Sequence, residues 1–357
     1  MPSRSGGRSS NLLFVTGTPA NVRGGSGTYV GISVLRQALQ DAGHRVELVA
    51  PDGDSAGTLS RFFFNLRARR AAQRSRYDAI VGFDLDGLFV SAPGTRRVAS
   101  IKGVIADELR FERGATRLSL FLASLLERRN VVRADRVLAT SEYAAGRIAA
   151  EYGAAREKIR VVPEPIDLAR WEKALEAAAR IAPDEPVVLC VAHLYPRKQV
   201  QSLLRALTFV KTPAKLRVVG TGPELPALER LAGELGLRDR AAFLGHVPFE
   251  RLAEEYRGAD VFCLPSLQEG FGIVFLEAMA AGLPVVACRA AAVPEVVADG
   301  ECGILVPPGD VRALASALDR LLGDGALRRR LGAAGRRRAA RYDAPVVAGR
   351  FLEAIGL

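Results

Sequence analysis

The chain's strongest constraint on its own fold is an alternation, repeated twice, of short apolar runs with segments of helical period. Residues 11–16 are a largely apolar run, residues 29–41 have helical spacing, Ala42-Gly43-His44 ends that helix, and residues 46–50 read as a second strand. Further strands are expected at 79–82, 98–101 and 136–140. A second set begins at 186–192 and continues at 216–220, 242–245, 261–264, 285–287 and 303–306. Such alternation implies a parallel sheet covered by helices. Between the two sets lies Val161-Val162-Pro163-Glu164-Pro165-Ile166-Asp167, whose two prolines resist helix and fix an extended hinge. The expected class is α/β, with two Rossmann-like domains at 1–165 and 166–341 and a final helix at 342–357. The 357 residues are enough for two buried cores. Two such halves facing one another form a cleft at the carboxyl ends of their strands, where ligands of these sheets bind.

Composition narrows the function classes. Apolar residues make up 49% and charged residues 25%, as in ordinary globular enzymes. The first ten residues, rich in Ser and Gly, read as a flexible tail. Cys190, Cys263, Cys288 and Cys302 fall in or beside apolar segments without Cys-x-x-Cys spacing and read as reduced core residues. With three histidines, none at ligand spacing, no metal site is expected. No apolar run reaches the ~20 residues of a membrane span, and residues 118–126 read as a buried or amphipathic helix. No signal peptide is expected from the first residues, so the location read from the sequence is cytoplasmic. The net charge of +11 points to an anionic partner. Its sources are residues 61–76, where arginines neighbour Phe62-Phe63-Phe64, and the runs Arg328–Arg330 and Arg336–Arg338. The first reads either as a helix with one apolar and one cationic side, a peripheral contact for the inner membrane surface, or as plain packing with solvated arginines. The other two read as solvated helix faces. No nucleic-acid module accompanies the charge.

The stretch from Ser266 to Ala287, SLQEGFGIVFLEAMAAGLPVVA, carries the chemistry. It places Glu269 and Glu277 eight positions apart around a glycine-rich strand-to-helix turn. Gly270 and Gly272 let a ligand approach the backbone, and the free N–H groups of the following helix, from Phe271 to Ile273, face an anion. Carboxylates accept charge-assisted hydrogen bonds from paired hydroxyls. With Glu269 on the loop and Glu277 on the helix, one could meet a sugar hydroxyl and the other a ribose. The plainer reading of that spacing alone is a surface turn with two solvated glutamates.

The whole string closely resembles the signature of the retaining glycosyltransferases of the B-type (GT-B) fold with a Glu-x7-Glu motif, glycosyltransferase family 4 or group 1. The match includes Glu269, Gly270, Phe271, Gly272, Glu277, Ala278, Met279, Gly282 and Pro284 in register. The resemblance implies metal independence, no cofactor, a nucleotide-diphosphate sugar as co-substrate, and a last helix crossing back onto the first domain. It makes Gly24, Gly25 and Gly27 in the first loop candidates for donor approach, a loop that departs from the nicotinamide fingerprint. In the loop after residue 192, Arg197 and Lys198 are adjacent cations suited to a diphosphate leaving group, and Lys198 aligns with the family's phosphate-binding lysine. Relatives have arginine at His193 and glycine at Gln199. Arg197 is then the substitute charge, and His193 is either a packed residue or a donor to phosphate. Gly220 and Gly222, with Val247 beside His246, match the family's nucleotide-base wall, though an ordinary turn is an equal reading for His246. Where relatives carry an acceptor-side histidine, the polar groups are Lys102, Asp107 and Glu108. Asp84 and Asp86 read equally as turn formers or acceptor ligands.

The activity implied is sugar transfer with retention to a saccharide, lipid-linked or small-molecule acceptor, with Glu269, Lys198 and Arg197 as the catalytic set. No general base emerges, in keeping with a reaction in which the leaving phosphate takes the acceptor proton. The rivals are an epimerase or sugar phosphorylase on the same scaffold, and a silent nucleotide-sugar sensor or membrane-surface adaptor.

Overall fold

The structure is a computed structural model that describes residues 9–18, 27–51, 58–70, 73, 75–178 and 185–357. Two compact units divide it: one runs to Pro165 and includes Ala344–Leu357, and the other is Ile166–Asp343.

The first unit comprises β1 (Asn11–Val15), α1 (Gly27–Asp41), β2 (Arg45–Val49), α2 (Thr58–Ala68), β3 (Ala79–Phe83) and β4 (Arg96–Ile101). It continues with α3 (Ile105–Glu108), α4 (Gly114–Arg133), β5 (Arg136–Ala139), α5 (Glu142–Tyr152) and β6 (Ile159–Val161). All strands pair in parallel in the order β2-β1-β3-β4-β5-β6. The direction of crossover reverses between β1 and β3, so the loops after those two strands meet at a topological switch point. Strand β6 is absent from the sequence expectation, which starts the hinge at its last residue. It is three residues long and buries only Ile159, too little for a period to show.

The second unit runs α6 (Leu168–Ala177), β7 (Val187–Val191), α7 (Val200–Leu207), β8 (Lys215–Val219), α8 (Leu225–Glu234), β9 (Ala241–Gly245) and α9 (Phe249–Arg257). Then follow β10 (Val261–Leu264), α10 (Ile273–Ala280), β11 (Val285–Cys288), α11 (Val293–Val296), β12 (Gly303–Val306), α12 (Val311–Gly323) and α13 (Gly325–Ala339). Its parallel order is β12-β11-β10-β7-β8-β9, with the switch between β7 and β10. Every residue of β10 is fully buried, and each such Val, Leu or Phe side chain contributes roughly 1.5–3 kcal/mol. The four cysteines are buried and free.

Helix α14 (Ala344–Ile355) returns to the first unit. Phe351 meets Phe14 edge-on at 5.8 Å, Val347 and Ile355 are fully buried, and Arg96 donates to the Ile355 carbonyl. The return follows a parallel bridge between Ile166 and Asp343, with the Ile166 amide donating to the Tyr342 carbonyl at 2.9 Å. The chain therefore enters and leaves the second unit at neighbouring residues.

Of the six C-terminal arginines, Arg329, Arg330 and Arg337 are exposed, as read, while the other three reach backbone carbonyls. Arg336 donates to the Ala281 carbonyl, Arg338 to the carbonyls of Glu295 and Val296, and Arg328 to those of Leu321 and Leu322. These carbonyls lie at helix ends, where the backbone lacks partners of its own. Helix α13 also packs closely on the end of α10: a Cβ on Gly332 would lie 2.0 Å from the Gly282 carbonyl oxygen.

Candidate functional site

In the second unit the switch point brings together the loops after β7 and β10. The loop after β7 turns through Pro196–Lys198 as a short 3-10 helix, and Gln199, at φ +55°, redirects the chain into α7. The Leu267 amide donates to the Arg197 carbonyl at 2.8 Å, which ties the two loops through main chain. Ser266 Oγ donates to the Gln268 carbonyl at 3.0 Å and shapes the turn. Across this junction Lys198 Nζ donates to Glu269 Oε1 at 2.6 Å, both side chains being mostly buried. The guanidinium of Arg197 stacks over the Tyr195 ring at 4.9 Å, and the His193 ring lies 6.0 Å from that same ring.

Gly272 precedes α10 with φ +92°, a conformation that favours glycine, and a Cβ there would also strike the Phe275 ring at 2.6 Å. Phe271 turns into the core, edge-on to Tyr342 at 5.4 Å, so it offers a ligand its backbone. Glu277, one turn into α10 from Ile273, is 8% exposed and accepts from Tyr256 Oη at 2.8 Å. Burial raises its carboxyl to about 7, opposed by the Tyr256 hydrogen bond, and no neighbouring cation enters the balance. Tyr256 is itself fully buried between Trp171 and Phe262, so the phenol is a fixed support. Nothing in the spacing of the motif announces Tyr256, which comes from α9.

Gly220 and Gly222 have a packing reason to be glycine. A Cβ on Gly220, at φ +124°, would lie 1.9 Å from the Ala192 carbonyl oxygen, and one on Gly222 would lie 2.6 Å from the Leu194 amide nitrogen. They let the β8 loop lie against the loop carrying His193. Val247 is half-buried against the core and His246 is exposed.

In the first unit, Gly24 and Gly25 lie outside the described residues, and Gly27 begins α1 with its residue exposed. The polar side chains at the carboxyl ends of β1, β3 and β4 hold one another. Asp86, fully buried, accepts from the Gly17 amide at 2.5 Å, from Asn65 Nδ2 at 2.9 Å and from the Arg61 guanidinium. Asn65 in turn accepts from the Gly87 amide at 2.6 Å. Asp86 thus fastens α2 to the sheet. Arg61, read as part of a cationic outer side, points inward, and Ala71, Ala72 and Arg74 of that stretch lie outside the described residues.

Asp84, at φ +55°, accepts from the Lys102 amide at 2.8 Å, and burial raises its carboxyl to about 6. Lys102 Nζ pairs with Glu164 at 2.9 Å, and both are almost fully buried. Asp107 is buried and occupied by Tyr143 Oη at 2.7 Å and Arg147 Nε at 3.0 Å, a structural role. Glu108 Oε1 stands close to Gly103, where a Cβ would lie 2.8 Å away. Of the acceptor-side candidates, Lys102 stands beside Asp84, and Glu164 joins them unannounced from the hinge. No group of His, Cys, Asp and Glu among the described residues could hold a metal ion.

Comparison with known proteins agrees with this architecture. The family model described as Glycosyl transferases group 1 matches residues 172–338, and that of Glycosyltransferase Family 4 matches residues 23–170. A D-inositol 3-phosphate glycosyltransferase of Nocardia farcinica is 39% identical over 220 residues, covering 58% of this chain and 49% of that protein. A GDP-mannose-dependent alpha-(1-6)-phosphatidylinositol monomannoside mannosyltransferase of Mycolicibacterium smegmatis is 37% identical over 218 residues, 57% of each. The chain thus matches about half the length of these relatives. Among solved structures, sucrose-phosphate synthase from Thermosynechococcus elongatus superposes with TM-score 0.80 at 24% identity, covering 96% of this chain and 98% of that one. The Anabaena protein HepE, in complex with UDP and glucose, gives 0.75 at 20% identity, covering 97% and 99%. The fold is therefore that of the B-type glycosyltransferases, and the chain belongs to the group 1, family 4 glycosyltransferases.

Proposed function

We propose that this chain transfers a sugar from a nucleoside-diphosphate sugar to a saccharide, lipid-linked or small polyol acceptor, with retention and without a metal ion. The single observation that carries the reading is the junction of the β7 and β10 loops. There a cation and a carboxylate, Lys198 and Glu269, share one bond while Glu277 stands on the helix that follows. Arg197 and Lys198 stabilise charge developing on the departing diphosphate, Glu269 orients sugar hydroxyls, and Glu277 accepts from the ribose. The bond between the anomeric carbon and the phosphate oxygen breaks on the face where the acceptor oxygen bonds. The acceptor proton passes to that phosphate oxygen. On the acceptor side, Lys102 and Asp84 are the groups assigned to hydroxyls. The protein works on the cytoplasmic side, peripheral to the inner membrane surface.

The guanosine and uridine nucleotides named for a relative and a neighbour, with adenosine as a third base, set the test. Thermal stabilisation is measured against GDP-mannose, UDP-glucose and an ADP-sugar, for wild type and Glu277→Ala. A ligand at 100 times its Kd stabilises by about 2.7 kcal/mol. A shift with one base, lost in the variant and followed by acceptor-dependent nucleotide release, is the expected result. No shift with any donor would overturn the reading, and conversion of the donor without acceptor would make the chain an epimerase.

A further inference from the structure

Helix α4 buries the wrong side chains for an ordinary surface helix. Its buried residues are Ala123, Ser124, Glu127, Asn130 and Val131, while Leu118, Phe121, Leu122 and Leu125 are about half exposed or more. The four exposed residues recur at i, i+3, i+4 and i+7, one continuous stripe about 10 Å long. Exposed Arg113 and Arg117 stand before it, and Arg128, Arg129 and Arg133 after it. The only acid of the helix, Glu127, is turned fully inward, accepting from the Ile105 amide at 3.0 Å. The outer face of α4 is thus apolar and cationic with no carboxylate of its own. Helix α2, packed beside α4, adds exposed Phe63, Leu66 and Arg67.

Position matters as much as chemistry. Glu127 and Asn130 reach groups just beyond the carboxyl ends of β4 and β3, Asn130 donating to the Asp84 and Asp86 carbonyls at 2.8 and 3.0 Å. The helix then ends at the amino end of β5. Residues 118–125 therefore extend past the carboxyl edge of the sheet, on the side of Lys102 and Asp84.

We propose that the outer face of α4 is a docking surface for an anionic lipid bilayer, lying in the interface with its leucines and Phe121 below the headgroups and its arginines among the phosphates. The proposal deepens the peripheral placement above and rests on it. It extends the contact from residues 61–76, whose Arg61 is internal, to a helix whose arginines are exposed. Charge complementarity selects the bilayer over a second copy, since two copies of this face would oppose arginine to arginine.

The test is co-sedimentation of the full chain with vesicles of phosphatidylglycerol and phosphatidylcholine, against phosphatidylcholine alone. Wild type should favour the anionic vesicles, with binding that weakens as salt rises. Leu118→Ser/Phe121→Ser/Leu122→Ser should lower the bound fraction by about tenfold or more, and Arg128→Glu/Arg129→Glu by several-fold. The melting temperature and donor shift of each variant should stay at wild-type values. In a separate Phe121→Trp chain, the new indole emission should move to the blue on adding anionic vesicles. Failure of wild type to bind either vesicle would overturn the peripheral placement. Wild-type binding by the triple serine variant, or no blue shift at position 121, would overturn the assignment to α4. A dimer that the serine variant converts to monomer would show a second copy to be the occupant.

Discussion

The carboxyl edges of the two sheets hold their polar side chains in different ways. In the second unit, main chain does the fixing: the Leu267 amide on the Arg197 carbonyl, and glycines that let the loops after β7 and β8 touch. Lys198, Glu269 and Glu277 are then left with a single close side-chain partner or with a phenol. In the first unit, side chains fix side chains: Asp86 has Arg61, Asn65 and the Gly17 amide, and Asp107 has Tyr143 and Arg147. Asp86 and Asp107 hold the architecture at the first edge, whereas the charges at the second have capacity left for a ligand.

Substitutions can break this contrast. The largest effect is expected for Asp86→Ala, which strands a mostly buried Arg61 and should destabilise the first unit by about 3–5 kcal/mol. Calorimetry would read it, with donor binding to the folded protein unchanged; a variant as stable as wild type would show the network to be incidental. Lys198→Ala should lower kcat by ~10²-fold or more with a small change in donor KM, the pattern of a group acting in the transition state. Steady-state kinetics decides this, and an effect confined to KM would reassign Lys198 to binding alone.

Glu277→Gln should weaken donor binding by about tenfold, at the scale of one charge-assisted hydrogen bond. Its pH dependence sharpens the point. The carboxyl of Glu277 is raised from 4.5 to about 7, so the folded state holds a proton that the unfolded state has lost. Stability from this group is present below the lower value and fades as pH rises toward 7, while donor affinity, which needs the carboxylate, climbs through 7. Calorimetric titration from pH 6 to 8 should show that climb in wild type and a flat line in the glutamine variant. His246→Ala, at an exposed position, should leave stability within ~0.5 kcal/mol; a larger loss would give that loop a structural duty.

Much of the fold was legible because parallel sheets write it locally. Every residue of β10 and β11 is buried, so those strands read as unbroken apolar runs. Strand β6 was not legible, having one buried side chain. Glu269, Gly272 and Glu277 were visible because one turn and one helix carry them. Tyr256 and Glu164 were not, since each reaches its partner from another element, 21 and 62 residues away. Asp107, read as an acceptor ligand from its place after β4, was legible as polar but not as buried, for Tyr143 and Arg147 cover it from α5. Helix α4 was legible only as one of two readings: the run 118–126 reads as a buried or an amphipathic helix, and the structure gives the second, with Ala, Ser, Glu, Asn and Val on the buried face.

The bridge between Ile166 and Asp343 makes the second unit a cassette. It is one uninterrupted stretch whose two ends are already neighbours, while the first unit is assembled from both termini of the chain. A related stretch could be spliced in at those two residues without recutting the first sheet or its α14 cover. Variation in the half assigned to the donor is thereby uncoupled, at the level of the gene, from variation in the half assigned to the acceptor.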